Sequence, residues 1–101
     1  MDVPAILEAL EDCPGLIAHY LTDDRGHYCV LGWLMLKASK TMNLTTDSYD
    51  QMLDSFGLGP YGDVCRSLVD FNNRHYRSRK ARLEAVRGYV AAQAAAQDGG
   101  R

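Results

Sequence analysis

The stretch Tyr28-Cys29-Val30-Leu31-Gly32-Trp33-Leu34-Met35-Leu36 is nine residues in which only glycine departs from a large or apolar side chain. Any fold this chain adopts has to enclose it. Leu, Met, Trp and Cys dominate and Val30 is its one β-branched member, which favours helix, since strands draw on more branched side chains. Apolar side chains all round imply enclosure on most sides rather than the single stripe of a surface helix. The stretch falls well short of the about 20 residues that cross a bilayer. It is also bounded by charge, with Asp23, Asp24 and Arg25 before it and Lys37 and Lys40 after it. A helix from about His27 to about Ser39 is predicted. Gly32 costs roughly 1 kcal/mol against alanine in a helix interior, so either another backbone comes close there or a small residue sits where the core is crowded.

The other elements follow from caps and spacing. Pro4 suits the first turn of a helix with Asp2 as its cap. Ile6, Leu7 and Leu10 recur at helical spacing, and Cys13-Pro14-Gly15 ends that run. Leu16 to Leu21 reads either as a second short helix or as one arm of a β-hairpin near residues 16–31, whose other arm is the start of the central stretch. Thr22 to Gly26 is a turn by composition. After a polar connection from Thr41 to Thr46, Asp47-Ser48 is the expected cap of a helix with Tyr49, Met52, Leu53 and Phe56 on one side. Gly57-Leu58-Gly59-Pro60 stops it. Pro60 or Tyr61 then opens a helix with Val64, Cys65, Leu68, Val69 and Phe71 inward, closed by a left-handed cap at Asn72-Asn73. Ser78 caps a last helix striped by Leu83, Val86, Val90 and Ala94. The expected fold is mainly α, a compact bundle of about five short helices around the central helix 27–39. Residues 1–97 form a single domain and 98–101 a mobile tail.

The net charge of −2 conceals a division along the chain. Residues 1–73 carry four basic and eleven acidic residues, a net −7, whereas residues 74–101 carry seven basic and two acidic ones, a net +5. One expectation is that the two parts attract each other within the fold. The other is that the basic run meets a partner. Arg74, Arg77, Arg79, Lys80, Arg82 and Arg87 are the candidate binding residues, with Arg79, Arg82 and Arg87 on the half of the last helix that Leu83 and Val86 leave free. Lysine and arginine on such a face release counterions from a nucleic-acid backbone, or meet an acidic protein.

Two constellations have the composition of a chemical site. Cys29 near a helix start, with His75 and Asn72 or Asn73 elsewhere, matches a thiol nucleophile, its base and an orienting amide. Yet Cys29 lies in the most apolar run of the chain, where a thiol behaves as a small buried hydrophobe. His19, His27, Cys29, Cys65 and His75 include no Cys-x-x-Cys pair, and the His27/Cys29 spacing does not share a helical face. No catalytic residue, metal or cofactor is therefore expected. Three cysteines, odd in number and widely spaced, argue against a disulfide framework, and the start Met1-Asp2-Val3-Pro4 has no basic region followed by an apolar run. A cytoplasmic location without membrane insertion is expected.

Tyr28-Cys29-x-x-Gly32-x-Leu34 and, about forty residues later, Leu68-Val69-x-Phe71-Asn72-Asn73 before a capped final helix resemble a group of small uncharacterised actinobacterial and phage proteins. These share an aromatic-Cys-x-x-Gly helix and an Asn-Asp turn, with Asn73 here in place of the aspartate. The resemblance implies a compact helical fold and a phage or phage-bearing source. The function expected is a small non-catalytic binding or regulatory protein that occupies a host protein in the host cytoplasm, such as a phage-encoded inhibitor of a CRISPR-type defence component. The alternative is a nucleic-acid-binding regulator that uses the basic C-terminal helix.

Overall fold

The central stretch forms its helix only from Val30 onward. The structure, a computed structural model, describes residues 1–59 and 63–99. Among them are five α-helices: α1 (Val3–Leu10), α2 (Val30–Ser39), α3 (Thr46–Phe56), α4 (Asp63–Asn72) and α5 (Arg79–Gly99). Every residue from Tyr28 to Leu36 is buried or half-buried. The predicted start at His27 is corrected by three residues, because His27 and Tyr28 lie outside the helix and extended Cys29 is the cap, its Sγ accepting the Gly32 N–H at 3.4 Å. The hairpin near residues 16–31 is reduced to one antiparallel bridge, Thr22 to Tyr28. The neighbouring bonds from Asp23 N–H to His27 O and from Cys29 N–H to Leu21 O, 3.0 and 3.2 Å, close the turn.

Caps decide the other boundaries. Asp2 accepts the Ala5 N–H at 3.1 Å and Pro4 stands in the first turn of α1, satisfying donors that a helix start leaves open. The cap of α3 is Thr45, not Asp47-Ser48: Thr45 and Ser48 exchange side-chain and backbone bonds in a capping box. That leaves Asp47 in the first turn, where the helix dipole favours a carboxylate. Gly57 ends α3 with φ 61°. The left-handed residue expected at Asn72-Asn73 is absent there. Left-handed backbone without glycine occurs instead at His19 (φ 71°) and Lys40 (φ 58°). Val64, expected inward, is exposed. The predicted opening of α4 at Pro60 or Tyr61 lies outside the described residues. α5 continues in helix to Gly99, so the segment assigned to a mobile tail begins as helix; Gly100 and Arg101 are outside the described residues.

α2 packs mainly on α3, while α1 and α4 pack on α5, and α1 also touches α2 and α3. Ile6, Leu10, Leu34, Met52, Leu68 and Val86 meet in one contiguous core. The radius of gyration of 12.7 Å is that of a single compact body of this length. Trp33, at the centre of the apolar stretch, is only half-buried. Its ring lies on the surface of the core because its Nε1–H donates to Ala9 O at 2.7 Å, an otherwise open carbonyl in the last turn of α1. Lys37 covers the ring at 5.2 Å and bonds to Asp12 at 2.5 Å.

Of the two readings of Gly32 the close backbone approach is the one found, and the backbone is that of Leu21. A Cβ on Gly32 lands 2.0 Å from Leu21 O and 2.8 Å from Leu21 C, and no side-chain rotation relieves contact with backbone. Gly32→Ala is therefore expected to destabilise the protein by about 1–3 kcal/mol through overpacking, although at an unobstructed helix site the same change gains up to about 1 kcal/mol. Urea denaturation of the two proteins decides the sign.

Candidate functional site

The six basic residues proposed for binding separate into three groups. Arg74, Arg77, Arg79 and Lys80 are exposed and gather at the corner between α4 and the first turn of α5. Ser78 starts α5 there, its Oγ accepting the Ala81 N–H at 3.0 Å. Arg87 is also exposed but stands seven residues beyond Lys80, about 10 Å along the helix. Glu84, exposed as well, lies between them on the same face at i+4 from Lys80 and i−3 from Arg87. A continuous basic stripe along α5 is thus interrupted.

Arg82 forms the third group and does not face outward. Its Nε–H donates to Asn72 O at 2.7 Å, Nη2 to Arg74 O at 3.1 Å and Nη1 to Leu16 O at 3.5 Å. Its guanidinium lies 5.2 Å from the Tyr76 ring centre. It therefore closes the C-terminal end of α4, where carbonyls lack helical partners and the dipole favours a cation. The sequence held a sign of this: Arg82, Val86 and Val90 are spaced by four, which puts Arg82 on the edge of the buried stripe.

The connection between Leu16 and Leu21 lies against this corner. Leu16 N–H donates to Arg79 O at 3.0 Å, and Gly15 is so near α5 that a Cβ there meets the Arg79 Cβ at 2.9 Å. Asn72, 1% exposed, joins three segments: its Nδ2 donates to Ile17 O and Asn73 Oδ1, both at 3.0 Å, and its Oδ1 accepts the Val30 N–H at 3.2 Å. The Asn73 carboxamide in turn accepts the His19 N–H at 2.9 Å. Tyr20, the next residue, is 71% exposed. Sequence reading missed both Tyr20 and the role of Asn72, because Leu16 to Leu21 read as a short helix or a hairpin arm and Asn72 as a helix cap or an orienting amide.

No ion pair among the described residues ties the corner cations to the acidic body, although exposed Asp70 stands one turn before Arg74. Among the described residues the ion pairs are His27 with Asp23 and Lys37 with Asp12, and neither reaches past residue 73. Arg74 instead lies 4.6 Å over Phe71, which stacks on Tyr89 with ring centres 4.6 Å apart. Asp23 is held at about 2, first by the His27 backbone N–H and then by the His27 ring and the Arg25 N–H.

The other candidate residues are not assembled. Cys29 is buried, and burial pushes its thiol above the usual range despite its place at a helix start. His75 is exposed, whereas Asn72 is occupied with backbone. His19, His27, Cys29, Cys65 and His75 are not gathered: among the described residues no group of three or more His, Cys, Asp or Glu side chains is placed to hold a metal ion. Nor, among the described residues, is any helix long and apolar enough to cross a membrane. No protein-family model, curated protein or solved structure matches the chain.

Two expectations follow. Arg82→Gln leaves backbone carbonyls without a charged donor and is expected to lower stability by about 1.5–3 kcal/mol, whereas Arg79→Gln stays within about 0.5 kcal/mol; urea unfolding curves compare them. Cys29 is expected to react with iodoacetamide at pH 8 far more slowly in the native protein than in denaturant, since a buried neutral thiol is a poor nucleophile. Fast native labelling refutes that.

Proposed function

We propose that the protein is a small non-catalytic binding and regulatory protein that holds nucleic acid on the α4–α5 corner. The observation that carries the reading is the position of the cations. Arg77 precedes the start of α5, and Arg79 and Lys80 occupy its first turn, which contains no acidic residue. A helix N-terminus carries about half a positive charge, and each cation placed there is disfavoured by about 0.3–1 kcal/mol. The cations add to a positive end, and among the described residues none of them is held in an ion pair. A local rule broken without such a pair supports a functional reading, and a polyanion relieves this repulsion. Asp47, Asp50 and Asp54, three of the eleven acidic residues of the first 73, are exposed on α3, which packs on α2 and α1.

A second reading is favoured by the exposed side chains of Tyr20 and Leu21, since exposed tyrosines often anchor protein interfaces. In it the protein occupies a protein partner, as a phage-encoded inhibitor of a host defence component would. Both readings use the same corner and predict different retained material. Under the first, the protein retains a labelled oligonucleotide at about 50 mM salt and loses it steeply by about 200 mM. The change Arg77→Gln/Arg79→Gln/Lys80→Gln is expected to remove most of that salt dependence, with Arg87→Gln far weaker in effect. No retention at low salt, with an acidic protein captured through the same three residues, favours the second reading and sinks the first.

A further inference from the structure

We infer that Tyr20 is a stacking platform for one base of a single-stranded nucleic acid whose phosphates lie on Arg74, Arg77, Arg79 and Lys80. The inference rests on the nucleic-acid reading above and adds to it the form of the ligand and the residue that recognises it.

Tyr20 is displayed on a backbone that is fixed on both sides. The Ile17 N–H donates to Tyr28 O at 3.0 Å, and Ile17 O accepts from Asn72. The His19 N–H is held by Asn73, and Leu21 O accepts the Cys29 N–H at 3.2 Å while lying against the Gly32 backbone. His19 is kept at φ 71°, a left-handed conformation uncommon for a residue with a side chain. Left-handed backbone of this kind persists where the surroundings over-determine it, and it clusters at binding sites. An exposed ring on a fixed backbone loses little freedom when something packs on it, which favours it as a contact.

The same bonds bring the backbone that carries the ring to the segment that carries the cations. The hydrogen bond from His19 N–H to Asn73 Oδ1 leaves Tyr20 one residue from the bond on one side and Arg74 one residue from it on the other. The remaining corner cations follow within six residues of Arg74. Aromatic rings beside a cationic surface are how proteins hold single strands: the ring takes an unpaired base and the cations take its phosphates. A duplex keeps its base faces stacked on one another and is stiff. Laid along α5 it meets Glu84, whereas a single strand can turn over the corner between Tyr20 and Lys80.

Fluorescence anisotropy with labelled oligo(dT) and oligo(U) of about 12 bases, and with a duplex of the same length, tests the inference between about 50 and 200 mM salt. Single strands are expected to bind more tightly than the duplex. Tyr20→Ala is expected to weaken single-strand binding about tenfold with the salt slope unchanged, and Tyr20→Trp to retain it. Circular dichroism of Tyr20→Ala should match wild type, since the ring is exposed. Equal affinity of Tyr20→Ala and wild type, or of duplex and single strand, overturns the stacking role and leaves the nucleic-acid reading standing. No binding of any oligonucleotide at the lowest salt overturns both. A polyglutamate peptide bound as tightly as oligo(dT) assigns the corner to acidic protein and also overturns the inference.

Discussion

The carboxamide of Asn72 is the interaction on which the rest of the structure depends. It is buried, yet its donors and its acceptor are all used: toward Ile17 O, toward Asn73 and from the Val30 N–H. Each of these backbone groups belongs to a segment that lacks a regular ladder at that point. Val30 opens α2, where helix donors have no internal partner, and Ile17 lies in a connection without secondary structure. A buried polar group without a partner costs about 1–3 kcal/mol, so the carboxamide and the segments it joins stabilise one another or fail together. Its own backbone carbonyl is bonded to Arg82, which extends the network to α5.

Through that network the apolar centre determines what is exposed. α2 is enclosed by α3 on one side and by the irregular connection on the other, and the connection can lie flat only because Gly32 has no side chain. Once Ile17 is tied to α2 and α4, the chain from His19 to Leu21 has little choice of path. The polar network thus has two products: an enclosed central helix and an aromatic ring fixed in the open.

Electrostatics divides the basic run by position within the fold. Arg82 stabilises the negative end of α4, where its cation is welcome, while Arg79 and Lys80 stand at the positive end of α5. These residues are chemically alike in the sequence and opposite in energetic sign in the fold. Exposed Glu84 separates Arg87 from the corner, and among the described residues no ion pair joins the corner to the acidic surplus of the first 73 residues.

Local chemistry sufficed for the helices, because caps, glycine stops and the spacing of Ile6, Leu10, Met52, Phe56, Leu83 and Val86 act within a few residues of one another. That Gly32 marks a crowded point was legible for the same reason: a glycine inside an apolar helix has a local cost that calls for a distant cause. The identity of that cause, Leu21 O, was not legible, nor were the half-burial of Trp33, the non-helical backbone at His27, the left-handed turn at His19 and the exposure of Tyr20. Each depends on contacts between segments tens of residues apart, such as Asn72 with Ile17 and Trp33 with Ala9. The sequence by itself determined the helical bundle, its core and the presence of a basic run. Only the tertiary structure decided which of the basic residues hold the fold together and which are left facing outward, because hydrogen bonds across such separations leave no period in the chain.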